Sequence, residues 1–156
     1  KRLDYTLYRI TNSNKYIMPN NGDNILETIL VNDVSKIMLK LILNLDTDIP
    51  KHLNFKPPQK TTYLSYVSQI SSFLQKDIKF VDIEVDAFTK NLGKVAACDP
   101  FWRESESDAT GENAFQITNS QPTNISDILP YLLKSNLINA VQHEAFSQER
   151  TYFARN

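Results

Sequence analysis

The stretch Lys36–Leu45, K-I-M-L-K-L-I-L-N-L, decides how the chain is read. Every odd position is apolar (Ile37, Leu39, Leu41, Leu43, Leu45), and Lys36, Lys40 and Asn44 take even positions with Met38 and Ile42 between them. Successive side chains of a strand point to opposite faces, so this alternation has the period of a strand rather than of a helix. It predicts a central strand with one buried face and its lysines in solvent.

The preceding residues, Asn24–Val34, admit two readings. Ile25, Leu26, Ile29 and Leu30 fit a helical stripe with Asp23 or Asn24 as N-cap. A strand Thr28–Val31 turning through Asn32-Asp33 into Lys36–Leu45 is preferred, because Asn-Asp between two apolar runs is good hairpin chemistry. Leu3–Thr11 alternates loosely and is rich in Tyr, Thr and Ile, which predicts a first strand. Asn12-Ser13-Asn14 is a turn cluster, Tyr16–Met18 a short return strand, and Pro19–Asp23 ends that hairpin with one of only three glycines.

Downstream, Asp46–Lys60 carries Pro50, Pro57 and Pro58 and reads as an extended connector. Thr61–Lys76 predicts an amphipathic helix: Tyr63, Tyr66, Val67, Ile70, Phe73 and Leu74 share a stripe, and Thr61 or Thr62 caps it. Ile78–Phe88 predicts a strand, with Val81, Ile83, Val85 and Ala87 opposite Asp82, Glu84 and Asp86. Asn91–Lys94 is a turn. Asp99–Thr123 is an acidic, weakly periodic loop in which Phe115–Thr118 adds a short strand. Ser126–Gln148 closes the chain as a helix, with Ser126 as N-cap, Pro130 in its first turn and a bend at Ser135-Asn136.

Together these elements predict an α+β fold. An antiparallel β-sheet, formed by an N-terminal meander plus a strand near 78–88, is covered by helices near 61–76 and 126–148. The expectation is a single globular domain over residues 1–156. The chain starts at Lys1 without a signal-peptide apolar core, so it reads as a piece of a longer protein.

Composition narrows the function classes. A hydrophobic fraction of 41% is too high for wholesale disorder. Seventeen Lys and Arg (17) against 18 Asp and Glu leave no basic field, which counts against a nucleic-acid partner. The single Cys98 excludes an internal disulfide and a cysteine-based metal site. It fits an intracellular setting, cytoplasmic or nuclear, with the periplasm as the other compartment where few cysteines are common. No run of about 18 apolar residues exists, so no membrane span is expected.

The sharpest chemical candidate is Asp82-x-Glu84-x-Asp86. On a strand these carboxylates share one face, as metal-dependent nucleases arrange their acids, so Asp82 and Glu84 are candidate metal ligands of a hydrolase or nuclease. Asp82 and Asp86 would stand roughly 13 Å apart and cannot share an ion. The words V-D-I-E-V at 81–85 resemble the first exonuclease motif of family B DNA polymerases, which implies carboxylate-held metal ions. That resemblance spans about five residues, and the further acids such a site requires do not stand out downstream. A solvated strand face, where like charges discourage edge pairing, is the simpler reading.

Other catalytic signatures are missing from the sequence. His143-Glu144 opens like H-E-x-x-H, but Ser147 stands where the second histidine belongs. His52 is isolated, three dispersed glycines build no phosphate loop, and no G-x-S-x-G elbow occurs. No cofactor is expected. Leu129-Pro130-Tyr131-Leu132-Leu133 has L-x-x-L-L form, though its leucines are more economically core.

Protein recognition has one positive sign. Phe101 and Trp102 sit beside Arg103, Glu104 and Glu106, and an aromatic anchor next to charge is hot-spot composition. The expected function is therefore a non-catalytic protein–protein interaction or structural module. Its partner would be another protein, either the rest of its own chain or a complex subunit. A metal-dependent hydrolase using Asp82 and Glu84 is the alternative.

Overall fold

Tyr16, Ile17 and Met18 are almost wholly buried, and the short strand that carries them is the centre around which the helices pack. The computed structural model describes residues 2–26, 29–43, 50, 52–56, 60–99, 112–134 and 140–155. In chain order the elements are α1 (Arg2–Asn12), β1 (Lys15–Pro19), a 3-10 turn (Asn20–Gly22), β2 (Ile25–Leu26), α2 (Val31–Leu43), β3 (Leu53–Asn54), β4 (Thr61–Thr62) and α3 (Tyr63–Phe73). There follow β5 (Lys79–Ile83), α4 (Val85–Asn91), α5 (Gly93–Cys98), β6 (Glu112–Asn113), α6 (Ala114–Ile117), α7 (Ile125–Lys134) and α8 (Ala140–Arg155). Helix and strand are mixed, as the sequence predicts.

The sheet is not the predicted antiparallel meander. Among the described residues strands occur as pairs: β1 with β5 parallel, β2 with β4 antiparallel, and β3 with β6 parallel. In the central pair Tyr16 stands opposite Phe80 and Ile17 opposite Val81. Tyr16–Met18 is thus a strand, but its partner comes from far downstream, because parallel strands need a long crossover that no tight turn supplies.

Lys36–Leu45 is the largest correction: its described part belongs to helix α2, not to a strand. Ile37 and Leu41, four residues apart, are buried together with Asp33 one turn earlier. Leu39 and Leu43, which alternation puts on the same buried face, are exposed. With Met38 and Ile42 also apolar, the run satisfies the helical spacing 34, 37, 38, 41, 42 as well as the strand spacing. Its leucines, lysines and methionine are good helix formers and settle the outcome. The same helix takes Val31 from the expected Thr28–Val31 strand, of which Thr28 lies outside the described residues.

Leu3–Thr11 is likewise helical. Tyr5, Thr6, Leu7, Arg9 and Ile10 of α1 are all buried. The stretch does carry a helical period, which its loose alternation and its β-favouring Tyr, Thr and Ile conceal. Of Ile78–Phe88 only Lys79–Ile83 is strand; Val85 starts α4, and Phe88, Leu92, Val95 and Ala96 bury a helical stripe that runs on into α5. Phe115–Thr118 is not a strand either. It falls in α6 and its C-cap, where the Asn113 side chain accepts from the Phe115 N–H at 3.0 Å.

The helix expected at Thr61–Lys76 is α3. Its N-cap is Thr62, whose hydroxyl accepts from the Ser65 N–H at 3.1 Å, and Tyr63, Val67 and Ile70 are buried as the stripe requires. It ends in a Schellman motif: Lys76 N–H bonds Ser71 O at 2.9 Å and Gln75 N–H bonds Ser72 O at 3.1 Å, with Gln75 at φ 52°. The expected closing helix is two elements, α7 and α8, and the bend predicted at 135–136 lies outside the described residues. Because α7 begins at Ile125, Pro130 stands inside it rather than in its first turn.

Among the described residues two apolar clusters result. The larger joins α1, β1, α3, α4, α5, α7 and α8 around Tyr16, Ile17 and Met18. The smaller holds Ile37 and Leu41 of α2 against Ala114 and Phe115. Burying one such aliphatic side chain contributes roughly 1.5–3 kcal/mol, so α2 is held by far less apolar surface than α1 or α3. The turn after β1 requires Gly22: at φ 71° it packs on Leu64 and Met18, where a Cβ would collide.

Candidate functional site

The most charged constellation is entirely internal. Arg9, on α1, donates from Nε and Nη2 to the two Glu149 carboxylate oxygens at 2.8 and 2.5 Å, and from Nη1 to Asp99 Oδ2 at 2.6 Å. Its Nη2 also donates to the Ile17 carbonyl at 2.9 Å, while the guanidinium stacks 3.7 Å from the centre of the Tyr16 ring. Asp99 Oδ2 accepts from the hydroxyls of Tyr16, at 2.9 Å, and of Tyr63. Planar, bidentate pairing of this kind is the geometry at which arginine and a carboxylate bind most strongly.

Burial shapes the electrostatics. It pushes the hydroxyls of Tyr5, Tyr16 and Tyr63 well above the ordinary tyrosine value. Burial also opposes the charge on Arg9, but Glu149 and the surrounding oxygens outweigh it and hold the guanidinium protonated. With Arg9, Asp99 and Glu149 each 1% exposed, no solute reaches these groups. The cluster is a brace that fixes α1, β1, α3 and α8 to one another. Its one sequence signal is Arg9 itself, a lone charge inside an apolar run.

On the surface the outstanding feature is α2. Val31 is 79% exposed, Leu43 73%, Leu39 and Ile42 56% and Met38 46%. At 100° per residue Val31, Met38 and Ile42 fall within about 40° of one another, beside the buried Ile37–Leu41 edge. Only that edge is covered. Lys36 and Lys40 flank the helix on the other side, and Lys40 Nζ donates to Thr118 O at 3.2 Å and to Ser120 Oγ at 3.0 Å. Asp33 fastens the helix start by accepting from Thr123 N–H at 2.9 Å and Thr123 Oγ1 at 2.6 Å. The missed surface was hidden by the strand reading, which placed Leu39 and Leu43 inside.

Phe101, Trp102, Arg103, Glu104 and Glu106 lie outside the described residues. Asp82 and Glu84 do not share a strand face: Asp82 sits in β5, where its carboxylate accepts from the Asn21 N–H at 2.6 Å, and Glu84 precedes the first turn of α4. Among the described residues no group of three or more His, Cys, Asp or Glu is placed to hold a metal ion. His143 is exposed on α8, edge-on to Tyr8 at 5.4 Å. Cys98 is half-buried, and burial together with the Asp99 charge pushes its thiol up, so it is a poor nucleophile. Of the L-x-x-L-L leucines, Leu129 is buried in the main core. No helix among the described residues is long and apolar enough to cross a membrane.

A comparison with protein-family models gives no match, and a comparison with curated proteins gives none of significance.

Proposed function

We propose that the chain is a non-catalytic protein-interaction module that docks another protein on the exposed face of α2. The supporting observation is the row of five large apolar side chains on that one helix, each 46–79% exposed. Apolar area in water costs about 25 cal/mol per Å², and a contiguous patch of this kind on a soluble chain is most economically an interaction surface. The partner is a complex subunit or another part of the same protein, met in the cytoplasm or nucleus. Phe101, Trp102, Arg103, Glu104 and Glu106 form a second contact in this proposal, on composition alone.

The metal-dependent hydrolase reading has less support. Asp82 already accepts a backbone hydrogen bond, and Glu84 lies beyond the strand that would have aligned the two.

A photo-crosslinking residue placed at Leu39 or at Ile42, and at the exposed Lys90 of α4 as control, tests the proposal in cells. A discrete protein adduct at positions 39 and 42, with none at 90, is the expected result. Leu39→Glu with Ile42→Glu then abolishes the adduct while leaving the thermal midpoint unchanged. Adducts no stronger at 39 and 42 than at 90 overturn the reading.

A further inference from the structure

The central strand pair has two outer edges, and among the described residues only one of them is closed. Lys79 N–H donates to Asn14 O at 2.8 Å, which fixes the phase of the parallel ladder. Lys79, Val81 and Ile83 turn their backbone groups toward β1, and on β1 it is Lys15 and Ile17 that face away from β5. Side chains satisfy both of these. Ser13 Oγ donates to Lys15 O at 2.8 Å and accepts from Lys15 N–H at 3.0 Å. Ile17 N–H donates to Glu149 Oε1 at 3.3 Å, and Ile17 O accepts from Arg9 Nη2 at 2.9 Å. The next outward position is Pro19, which has no N–H to satisfy. The brace stands where a neighbouring strand would.

The far edge of β5 has no such cover. Its outward positions are Phe80, half-buried, and Asp82, exposed. Among the described residues the backbone N–H and C=O of neither has a hydrogen-bond partner. β5 packs chiefly on β1 and on the Asn20–Gly22 turn, and it carries neither the proline nor the bulge that blunts an open edge. Two donors and two acceptors therefore stand in a row at the two-residue period of a strand, about 6.7 Å apart. Apolar surface flanks the row, since Val81 is half-buried and Val85, just beyond, is 40% exposed. The far end is acidic: Glu84 and Asp86 are exposed, and neither forms an ion pair with a described residue.

We propose that this edge takes an extended segment of a partner protein as a third strand of the β1–β5 sheet. The segment has apolar residues at alternate positions and a lysine or arginine beside Glu84 and Asp86. An extended backbone is the ligand that offers donors and acceptors at the matching period. A second copy of the chain fits less well. Two-fold antiparallel pairing of the edges puts Asp82 opposite Phe80, Ile78 or itself, and none of these supplies a cation. None of the edge residues belongs to α2, so this inference stands or falls apart from the proposed contact there.

The test is selection of nonapeptides from a randomised display library on the whole chain, followed by ¹⁵N NMR and amide exchange with the tightest peptide. The expected peptides alternate apolar residues and carry a lysine or arginine, and at saturation they protect the Phe80 and Asp82 amides. N-methylation of every second peptide residue weakens binding about tenfold or more, and N-methylation of the intervening residues does not, because alternate N–H groups of a third strand face β5. Asp82→Pro removes one donor at a position where an edge strand tolerates proline. It weakens binding about tenfold beyond Asp82→Ala, which loses the same carboxylate but keeps the N–H. Glu84→Gln with Asp86→Asn abolishes the selection of basic residues. Circular dichroism verifies the fold of each variant, and the N-methyl series carries the test if Asp82→Pro unfolds. Absence of enriched peptides, N-methyl effects without alternation, or protection confined to α2 or other amides overturns the proposal. A dimer in sedimentation with the Phe80 and Asp82 amides already protected overturns it in favour of pairing between two copies.

Discussion

Arg9 and Glu149, 140 residues apart in the chain, meet through hydrogen bonds of 2.8 and 2.5 Å with both side chains 1% exposed. The contact closes the molecule: it links the first helix to the last through the strand between them. Arg9→Met leaves Asp99 and Glu149 buried without a cation, at an expected cost of about 3–5 kcal/mol. Adding Glu149→Leu to Arg9→Met costs less than the sum of the two single changes, since the second removes a charge the first has stranded. Urea unfolding of the two singles and the double measures both terms. A loss no greater than that of an exposed change such as Lys90→Ala would show that the brace contributes nothing.

The tyrosines around Arg9 make stability depend on alkaline pH. Burial raises Tyr5, Tyr16 and Tyr63 above the ordinary value of 10.0 in the folded chain. Their contribution is therefore complete below pH 10.0 and declines above it, as the unfolded chain ionises and the folded one does not. The slope is at most about 1.4 kcal/mol per pH unit for each group. Absorbance at 295 nm checks this directly. Three of the 7 tyrosines stay protonated until the fold opens, and then ionise together. Smooth ionisation of all of them ahead of any change in circular dichroism counts against the brace.

Residues whose environment is one-sided were the ones legible in the sequence. The helix α3 has a buried stripe, a polar back and a threonine cap, and each of those leaves a local mark. The helix α1 leaves a helical period too, but a charge, Arg9, lies on its buried side, and its β-favouring Tyr, Thr and Ile are overruled by packing. α2 misleads for another reason: its apolar residues extend beyond the edge it buries, so they satisfy two periods at once. The brace was invisible for a third reason. Arg9, Asp99 and Glu149 are brought together only by the folded chain, and no spacing in the sequence records that meeting.

At the end of α3 a side chain occupies a conformation that suits glycine. Gln75, at φ 52°, is the C′ residue of the Schellman motif. The left-handed region costs an L-residue roughly 1 kcal/mol, and Gly avoids that cost while losing some of the gain to a more flexible unfolded chain. Gln75→Gly is therefore expected to stabilise the protein by about 0.5–1 kcal/mol, read as a higher urea midpoint with an unchanged slope. Gln75→Val is expected to destabilise it, since a β-branched residue tolerates that region least.

Asp33 decides whether α2 can serve as a docking element at all. Buried at the helix start, it accepts two hydrogen bonds from Thr123, and among the described residues the apolar cluster behind the helix is the smaller core. Asp33→Ala strands the Thr123 donors and costs about 1–3 kcal/mol. That loss is local, because the brace and the larger core lie elsewhere. Hydrogen exchange of the α2 amides is then expected to accelerate by roughly five- to a hundredfold, with α1 and α3 unchanged. The crosslink from position 39 weakens with it, since a frayed helix must be reordered before it can present its face. Equal acceleration in α1 and α3 would mean that α2 opens only with the whole fold. The docking face would then be as rigid as the core, and the variant would act on global stability rather than on the presentation of Leu39 and Ile42.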